Sequence, residues 1–143
     1  VHRHAAFLDG DAVASGAAIA ACLNSGPPGI HLWGGEPTVR LPERPGRGGR
    51  MQALALSAAR TLNAGCYLLA GATDGVDGSG DDAGAVVDAD TRKRIAEAGF
   101  EIEDGLAQAD AGTLLAAAGD LFRTGPTGTN VMDVVIGLRQ ADD

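Results

Sequence analysis

Small side chains dominate the apolar part of this sequence. Hydrophobic residues make up 45% of the 143 residues, aromatic residues make up only 3%, and there are 22 glycines. A core of alanine, leucine and valine reaches the density of a folded interior only where backbones approach one another closely. Because a chain of this length and composition buries one core without disulfides or metal, we expect a single domain over 1–143, with its core in 30–140 and a lead-in over 1–29.

Helical and extended patterns alternate along the chain. Caps and apolar periodicity predict helices over 12–23, 51–62 and 91–98, followed by two shorter helices that begin at Asp104 and Asp110. Apolar runs bounded by glycine, proline or asparagine predict strands at 30–33, 38–41, 67–72, 121–124 and 134–138. This alternation predicts the α/β class, with a mixed β-sheet flanked by helices in a single layered domain.

Three segments carry more specific expectations. The strands at 30–33 and 38–41 flank a Gly-Gly-Glu-Pro turn and are predicted to form a hairpin, which would give the sheet an antiparallel pair. The run at 67–72 is apolar throughout, which is typical of a strand buried on both faces. The segment 83–87 is compatible with a short strand or with a helical turn.

The formal net charge of -8 argues against a nucleic-acid surface, because such surfaces neutralise phosphates with clustered lysine and arginine. Arginines nevertheless crowd one stretch and aspartates crowd another. This arrangement suits a phosphorylated ligand held with a divalent cation, although charge runs are also usual on solvated faces. The arginines are Arg40, Arg44, Arg47 and Arg50, and the aspartates are Asp74, Asp77, Asp81, Asp82, Asp88 and Asp90.

The sequence carries no recognisable targeting or membrane signal. Asp9 and Asp11 interrupt the one stretch that resembles a secretory signal, and no apolar run reaches the length of a membrane span. Cys22 and Cys66 belong to no closely spaced motif. We therefore expect a cytoplasmic protein with reduced cysteines and no membrane segment.

The first glycine-rich loop, 44–50, precedes the strongest predicted helix. Its glycines let backbone N–H groups approach an anion, the helix N-terminus adds unsatisfied donors, and arginine grips phosphate or carboxylate with two parallel bonds. Charge at the helix dipole is worth only about 0.3–1 kcal/mol, so the arginines would supply most of the affinity. The alternative is a surface loop whose arginines pair with Glu36 or Glu43.

The second glycine-rich loop, 73–82, holds four aspartates and three glycines in ten residues. Carboxylates that follow a strand hold Mg²⁺ through water and substrate phosphates, or accept a proton from an attacking hydroxyl. The alternative is a polar turn that caps the next element, since aspartate and glycine also favour turns for backbone reasons.

The third loop, 124–130, combines hydroxyl groups with glycine amides, a composition that cradles an oxyanion but also builds ordinary turns. Neither a P-loop nor a dinucleotide-binding fingerprint occurs in the sequence. His2, His4 and His31 are too widely spaced to predict a zinc site, and His31 is interpreted as a packed or hydrogen-bonded strand residue. Lys93 is the only lysine, so we do not expect this chain to supply a lysine for phosphoryl transfer.

Taken together, four stretches resemble the MOFRL domain, the C-terminal part of class II glycerate kinases, a family whose members also carry the name hydroxypyruvate reductase. Their order and spacing match over 30–136. The stretches are Gly34-Gly35-Glu36-Pro37-Thr38-Val39, Gly46-Arg47-Gly48-Gly49-Arg50, Thr73-Asp74-Gly75-Val76-Asp77-Gly78 with Ala83-Gly84-Ala85, and Thr124-Gly125-Pro126-Thr127-Gly128-Thr129-Asn130-Val131.

The resemblance implies part of an enzyme that phosphorylates the 2-hydroxyl of glycerate with ATP and Mg²⁺, in a cleft shared with an N-terminal Rossmann-like domain. Residues 1–29 would adjoin that domain. Without it, the chain is expected to be inactive. A homo-oligomer is compatible with this reading. By motif, Arg50 would contact the substrate carboxylate or a transferring phosphate, and Asp74 would orient the reacting hydroxyl or a metal-bound water. The other implied substrate or phosphate ligands are Glu36, Arg47, Gly48, Gly49, Thr73, Asp77, Thr124, Gly125, Thr127, Thr129 and Asn130.

The sequence departs from the family pattern at three positions. Met51 and Ala53 stand where the family usually has Asn and Glu, and Met132 stands where it usually has Asn. These losses of polar groups keep an alternative open, a stand-alone module that binds small anions without catalysis. A hydroxypyruvate reductase is least favoured, because the nicotinamide fingerprint is missing. Every reading depends on one hypothesis, that the glycine turns bring Arg50, Asp74 and Thr127 to one rim of the sheet, where they form a pocket for a small phosphorylated acid.

Overall fold

The computed structural model describes residues 1–143 and contains five helices and six strands. The first helix begins where the sequence predicts, because the side chain of Asp11 accepts a hydrogen bond from the Ala14 N–H at 2.9 Å. The helices are α1 (Ala12–Ser25), α2 (Arg50–Ala59), α3 (Thr91–Glu97), α4 (Ile102–Ala107) and α5 (Ala111–Ala118). The strands are β1 (His2–Arg3), β2 (Gly29–Gly35), β3 (Cys66–Ala72), β4 (Gly84–Asp88), β5 (Leu121–Phe122) and β6 (Asp133–Arg139).

The six strands form one mixed sheet in the order β1-β2-β6-β3-β4-β5. Only β1 and β2 run parallel, and every other pair of neighbouring strands is antiparallel. The last strand of the sequence, β6, lies in the middle of the sheet between β2 and β3. The predicted α/β class with a mixed sheet is confirmed.

Helices α1 and α2 cover one face of the sheet and cross each other closely. At Gly16 in α1, an added Cβ would lie 2.2 Å from the carbonyl oxygen of Leu54 in α2, so only glycine allows this crossing. Every residue of α2 from Met51 to Ala59 is buried. The close backbone approach expected from the composition is present at this crossing.

The opposite face of the sheet carries no helix. Leu68 and Val135 are buried under α1 and α2, whereas their neighbours Tyr67 and Ile136 are 38% and 37% exposed. The expectation that 67–72 is buried on both faces is therefore wrong. The strand is apolar on both sides, but only one side is covered. None of the helices is long and apolar enough to cross a lipid bilayer.

The predicted hairpin is absent. Strand β2 includes both glycines that were assigned to the turn, and its antiparallel partner is β6. Residues 38–41 form no strand, and Thr38 makes only an isolated parallel bridge with Asp11. The partner of β2 comes from the far end of the chain, which local turn chemistry does not reveal. The segment 83–87, left open from the sequence, falls almost entirely within β4.

Three histidines that are far apart in the sequence lie side by side. The pairing of β1 with β2 sets His2 opposite His31, and His4 Nε2 lies 3.0 Å from His31 Nδ1. The sequence did not reveal this proximity, because β1 was not predicted. His31 is buried, and its Nε2 lies 2.9 Å from the Pro27 carbonyl oxygen, as interpreted for a packed residue. Burial, and then the neighbouring rings, lower the pKa of His4, which also stacks on Trp33.

Candidate functional site at the rim of the sheet

The ends of β2 and β3 meet the start of β6 at one rim of the sheet. Asp133, the first residue of β6, is in register with Gly35 at the end of β2 and with Ala72 at the end of β3. The aspartate loop, 73–82, leaves this rim, and the threonine loop, 124–130, leads back to it. The rim therefore gathers segments that are distant in the sequence.

Arg50, at the start of α2, reaches this rim from the arginine loop, 44–50. Its Nε donates to Oδ2 of Asp133 at 2.5 Å, and its Nη2 donates to Oδ1 of Asp133 and to Oε1 of Glu36, both at 3.2 Å. The side chain of Arg50 is 34% exposed. Because Nη1 makes no hydrogen bond within the chain, the guanidinium is clamped along one edge and keeps two N–H donors for a ligand.

Asp133 is the buried charge of the rim. Burial raises the pKa of its carboxyl, and the hydrogen bonds from Arg50 oppose that rise. The same bonds raise the pKa of Arg50. Because the contact joins two nitrogens to two oxygens, we take both groups as ionised at neutral pH. Asp133 was not among the residues predicted from the sequence, where its one distinguishing feature is its place directly before the last apolar strand.

The N-terminus of α2 is occupied by a carboxylate of the chain itself. Asp77 is buried and accepts hydrogen bonds from the N–H groups of Met51 at 3.0 Å and Gln52 at 2.8 Å. Burial raises the pKa of Asp77, and these hydrogen bonds oppose the rise. Two of the donors expected for an external anion are therefore taken by an internal helix cap. The N–H groups of Gly49 and Arg50 have no partner within the chain.

The aspartate loop and the threonine loop are tied into one unit. The hydroxyl of Thr127 donates to the Thr73 carbonyl at 2.5 Å, and the Thr127 N–H donates to the Asp74 carbonyl at 3.2 Å. Gly75 has a φ of +91°, and a Cβ there would lie 2.1 Å from the Gly125 carbonyl oxygen. Only glycine permits this contact. The structure thus brings Asp74 and Thr127 together beside Asp133.

Several predicted side chains keep groups free for a ligand. Oδ1 of Asp74 accepts a hydrogen bond from the Val76 N–H at 3.0 Å, and its Oδ2 makes none. The hydroxyl of Thr129 is also without a partner, as is the amide nitrogen of Asn130. The hydroxyl of Thr124, by contrast, bonds to the carbonyl of the next residue. All of these residues are at least partly exposed.

A cavity of about 580 Å³ opens between the arginine loop and the residues that follow β2. Its wall includes Glu36, Gly48, Gly49 and Arg50, four of the predicted site residues. This volume falls within the range of small-molecule sites. Asp74 is not part of the wall, so the predicted residues form two neighbouring groups that meet at the pair of Arg50 with Asp133.

The basic and acidic stretches of the sequence partly neutralise each other. Arg47 donates to Asp82 at 2.8 Å, and Arg123 donates to the other oxygen of Asp82 at 3.0 Å. Burial tends to raise the pKa of Asp82. The hydrogen bonds from both arginines outweigh this effect, so the pKa is lowered. Arg47, a predicted ligand, thus ties the arginine loop to the aspartate loop. Asp82, which holds that contact, was not predicted as a site residue.

Residues of this chain alone do not fit the cofactors that the resemblance implies. No group of three or more His, Cys, Asp or Glu side chains is arranged to hold a metal ion. The helix N-terminus suited to a phosphate is capped by Asp77, and the single lysine, Lys93, lies near Glu97 on α3. ATP and Mg²⁺ would therefore need groups from elsewhere.

Residues 29–133 match the MOFRL family. The chain belongs to this family. It is 41% identical over 113 residues to glycerate 2-kinase from Pyrococcus horikoshii, across 78% of this chain and 26% of that protein. It is 43% identical over 113 residues to D-glycerate 2-kinase from Thermotoga maritima, across 78% of this chain and 27% of that protein. The predicted resemblance is confirmed.

The fold of this MOFRL chain matches a solved structure of the family. The crystal structure of glycerate kinase from Thermotoga maritima superimposes with a TM-score of 0.91 and 37% identity, over 96% of this chain and 36% of that one. The chain spans about a quarter of the length of these curated relatives and about a third of the solved one.

The structure locates the three departures from the family pattern and explains one of them. Met51 and Ala53 are 0% and 4% exposed. Met51 packs in the core, whereas Ala53 lines a small pocket that shares Gly48 and Gly49 with the cavity. Met132 has a φ of +72°, a left-handed conformation that asparagine adopts more readily than methionine. The asparagine usual at that position is thus explained by the backbone.

Proposed function

We propose that this chain is the substrate-binding domain of a cytoplasmic, ATP-dependent glycerate 2-kinase, inactive without the rest of the enzyme. The observation that carries the proposal is Arg50, fixed at the rim by Asp133 and Glu36, with Nη1 free beside a cavity of about 580 Å³. The names of the relatives supply the reaction, and the rim supplies groups suited to a small hydroxy acid.

Arg50 is proposed to bind the carboxylate of glycerate. Asp133 holds one edge of the guanidinium, so little side-chain freedom remains to be lost when a ligand binds. The unpartnered N–H groups of Gly49 and Arg50 would add two further donors for the same anion. Glu36 lies on the same guanidinium and disfavours a second negative charge nearby, which suits a monocarboxylate better than a polyphosphate.

Asp74 is proposed to orient the reacting hydroxyl. The Val76 N–H holds Oδ1 of its carboxylate, and Thr127 holds its backbone carbonyl. Oδ2 is left to accept a hydrogen bond from the substrate. Thr129 and Asn130 lie on the adjoining loop with free polar groups and would contact the remaining oxygens of the substrate.

ATP and Mg²⁺ are proposed to be bound mainly by a further Rossmann-like region that completes the enzyme. This assignment follows from the poor fit of the present residues to either group. The alternative of a non-catalytic module stays open, since Met51 is buried in the core but Ala53 lines a small pocket that shares Gly48 and Gly49 with the wall of the cavity.

A chimera tests this proposal. The D-glycerate 2-kinase of Thermotoga maritima would have its matching region replaced by this chain, and ADP release would be measured with D-glycerate and ATP. We expect phosphorylation of D-glycerate by the chimera, none by the isolated chain, and no oxidation of NADH with hydroxypyruvate. A folded chimera that binds ATP but neither binds nor phosphorylates D-glycerate would contradict the proposal.

A further inference from the structure

Arg47 anchors the arginine loop through its backbone as well as its side chain. Its N–H donates to Oδ1 of Asp110 at 2.8 Å, and its carbonyl accepts the Gly112 N–H at 2.9 Å. Its guanidinium, as described above, donates to Asp82. Both backbone partners belong to the connection between α4 and α5, and Asp110 lies 63 positions after Arg47 in the chain. The position of the arginine loop therefore depends on that connection.

The carboxylate of Asp110 serves the arginine loop instead of its own helix. Asp110 occupies the N-cap position of α5, where an aspartate ordinarily accepts an N–H of the helix that follows, but it makes no such bond. Its Oδ1 accepts the Arg47 N–H and, at 2.6 Å, the hydroxyl of Thr113. Its Oδ2 makes no hydrogen bond within the chain. The hydroxyl of Thr113 thus helps to aim the carboxylate at the loop.

The contact between Asp110 and the arginine loop is tight and is kept in spite of backbone strain. A Cβ at Gly46 would collide with the side chain of Asp110, so any larger residue at 46 would displace it. Ala109, the residue before Asp110, has a φ of +51°, a left-handed conformation that alanine rarely adopts. Such strain persists only where surrounding contacts hold it, and it is frequent near functional sites.

We propose that Asp110 is a positioning residue for the substrate site and acts through the Arg47 N–H. This inference rests on the proposed function, in which the side chain of Arg50 and the N–H groups of Gly49 and Arg50 bind the carboxylate of glycerate. Only Gly48 and Gly49 separate Arg47 from Arg50, so a displacement of Arg47 moves those N–H groups with it. A misplacement of about 1 Å can cost up to about 100-fold in rate. Asp110 itself is not part of the cavity wall.

Steady-state kinetics of the chimera with the Thermotoga enzyme test this inference. For Asp110→Ala we expect the KM for D-glycerate to rise about tenfold, with kcat and the KM for ATP each within about twofold. The guanidinium of Arg50 stays clamped by Asp133, which limits the effect. Asp110→Asn keeps an oxygen for both hydrogen bonds, so its KM for D-glycerate should stay within about threefold. A merely structural role would reduce the folded fraction, which lowers kcat and leaves KM unchanged.

Arg94→Ala is the matched control for lost stability. Arg94 pairs with Asp88 and Asp120, and Asp88 is at the end of β4 away from the rim. We expect this variant to lower Tm and to leave the KM for D-glycerate within about twofold. Thermal unfolding establishes that each variant is folded before the kinetics are compared.

Hydrogen exchange of the Arg47 amide, measured by NMR on this chain alone, gives a readout that does not depend on activity. Asp110→Ala should speed this exchange at least about tenfold, and Arg94→Ala should not. An inactive chimera would contradict the proposed function and leave the exchange rate to decide the role of Asp110. In an active chimera, an unchanged KM for D-glycerate in folded Asp110→Ala overturns the inference. Equal rises of that KM in Asp110→Ala and Arg94→Ala, or unaltered exchange at Arg47, would overturn it as well.

Discussion

Replacing Asp77 with alanine should destabilise the fold through the N-terminus of α2. The carboxylate accepts the N–H groups of Met51 and Gln52, and it joins the aspartate loop to a helix 25 positions earlier. Without it, two buried donors lose their partners, at about 1–3 kcal/mol each. Relief from burying a carboxylate offsets part of this cost. We expect a net loss of about 3 kcal/mol in the free energy of unfolding, or roughly 10 °C in Tm.

The pH dependence of stability gives a second readout of Asp77. Its pKa is raised in the folded protein, so its linkage contribution to stability is fully present below the unfolded pKa. That contribution is lost as pH rises through the folded pKa. The stability of the wild type relative to Asp77→Asn should therefore fall with rising pH across this window.

Urea unfolding at neutral pH measures the effect, with Asp81→Ala as the matched control. Asp81 lies in the same loop but is exposed and makes no hydrogen bond. Formate supplies the carboxylate that alanine lacks, and it should restore part of the stability of Asp77→Ala and none of that of Asp81→Ala. If Asp77→Ala is as stable as Asp81→Ala, Asp77 is not the cap of α2.

Three further substitutions test other parts of the structure. Gly16→Ala should lower the free energy of unfolding by about 1–3 kcal/mol, because its Cβ would meet the Leu54 carbonyl, whereas Gly10→Ala, with open space around it, should change little in urea unfolding. Met132→Asn should raise the free energy of unfolding by about 1 kcal/mol, through relief of the left-handed backbone, and an unchanged Tm would contradict this. The pKa of Asp82 is lowered in the folded protein, so its contribution to stability is present above the unfolded pKa and is lost as pH falls. Asp82→Asn should therefore flatten the acid limb of a plot of Tm against pH. An unaltered limb would refute the stabilising role of the Asp82 carboxylate.

Elements defined by local chemistry were predictable from the sequence. The side chain of Asp11 marks the start of α1, and the apolar periodicity over 51–62 marks α2. Both signals act between residues a few positions apart. The glycine-rich loops were also recognised from their local composition, and their order along the chain supported the family resemblance.

Features that depend on distant pairing were not predictable. Strand β2 was shortened and given a false hairpin partner, because its true partner, β6, begins near residue 133. Asp77 was assigned to ligand binding because nothing in its own loop shows that the amides of α2 lie against it. Asp133 was missed because its role follows from Arg50, which is far away in the chain. Strand β3 was predicted to be buried on both faces because it is apolar on both. Which face is covered depends on where the helices pack, and the composition of the strand does not show this.

The role of Arg50 is tested most directly by steady-state kinetics in the chimera with the Thermotoga enzyme. Arg50→Ala alone would leave Asp133 buried and unpaired, so Arg50→Ala is combined with Asp133→Asn, and thermal unfolding checks that the protein is folded. The control is Arg60→Ala, at the other end of α2, where the arginine contacts Ser57 and Glu103. We predict that the double variant loses about 100-fold in kcat/KM for D-glycerate, as expected for a lost charged contact, and that Arg60→Ala stays within about twofold. Undiminished turnover in the folded double variant would show that the rim does not bind the substrate.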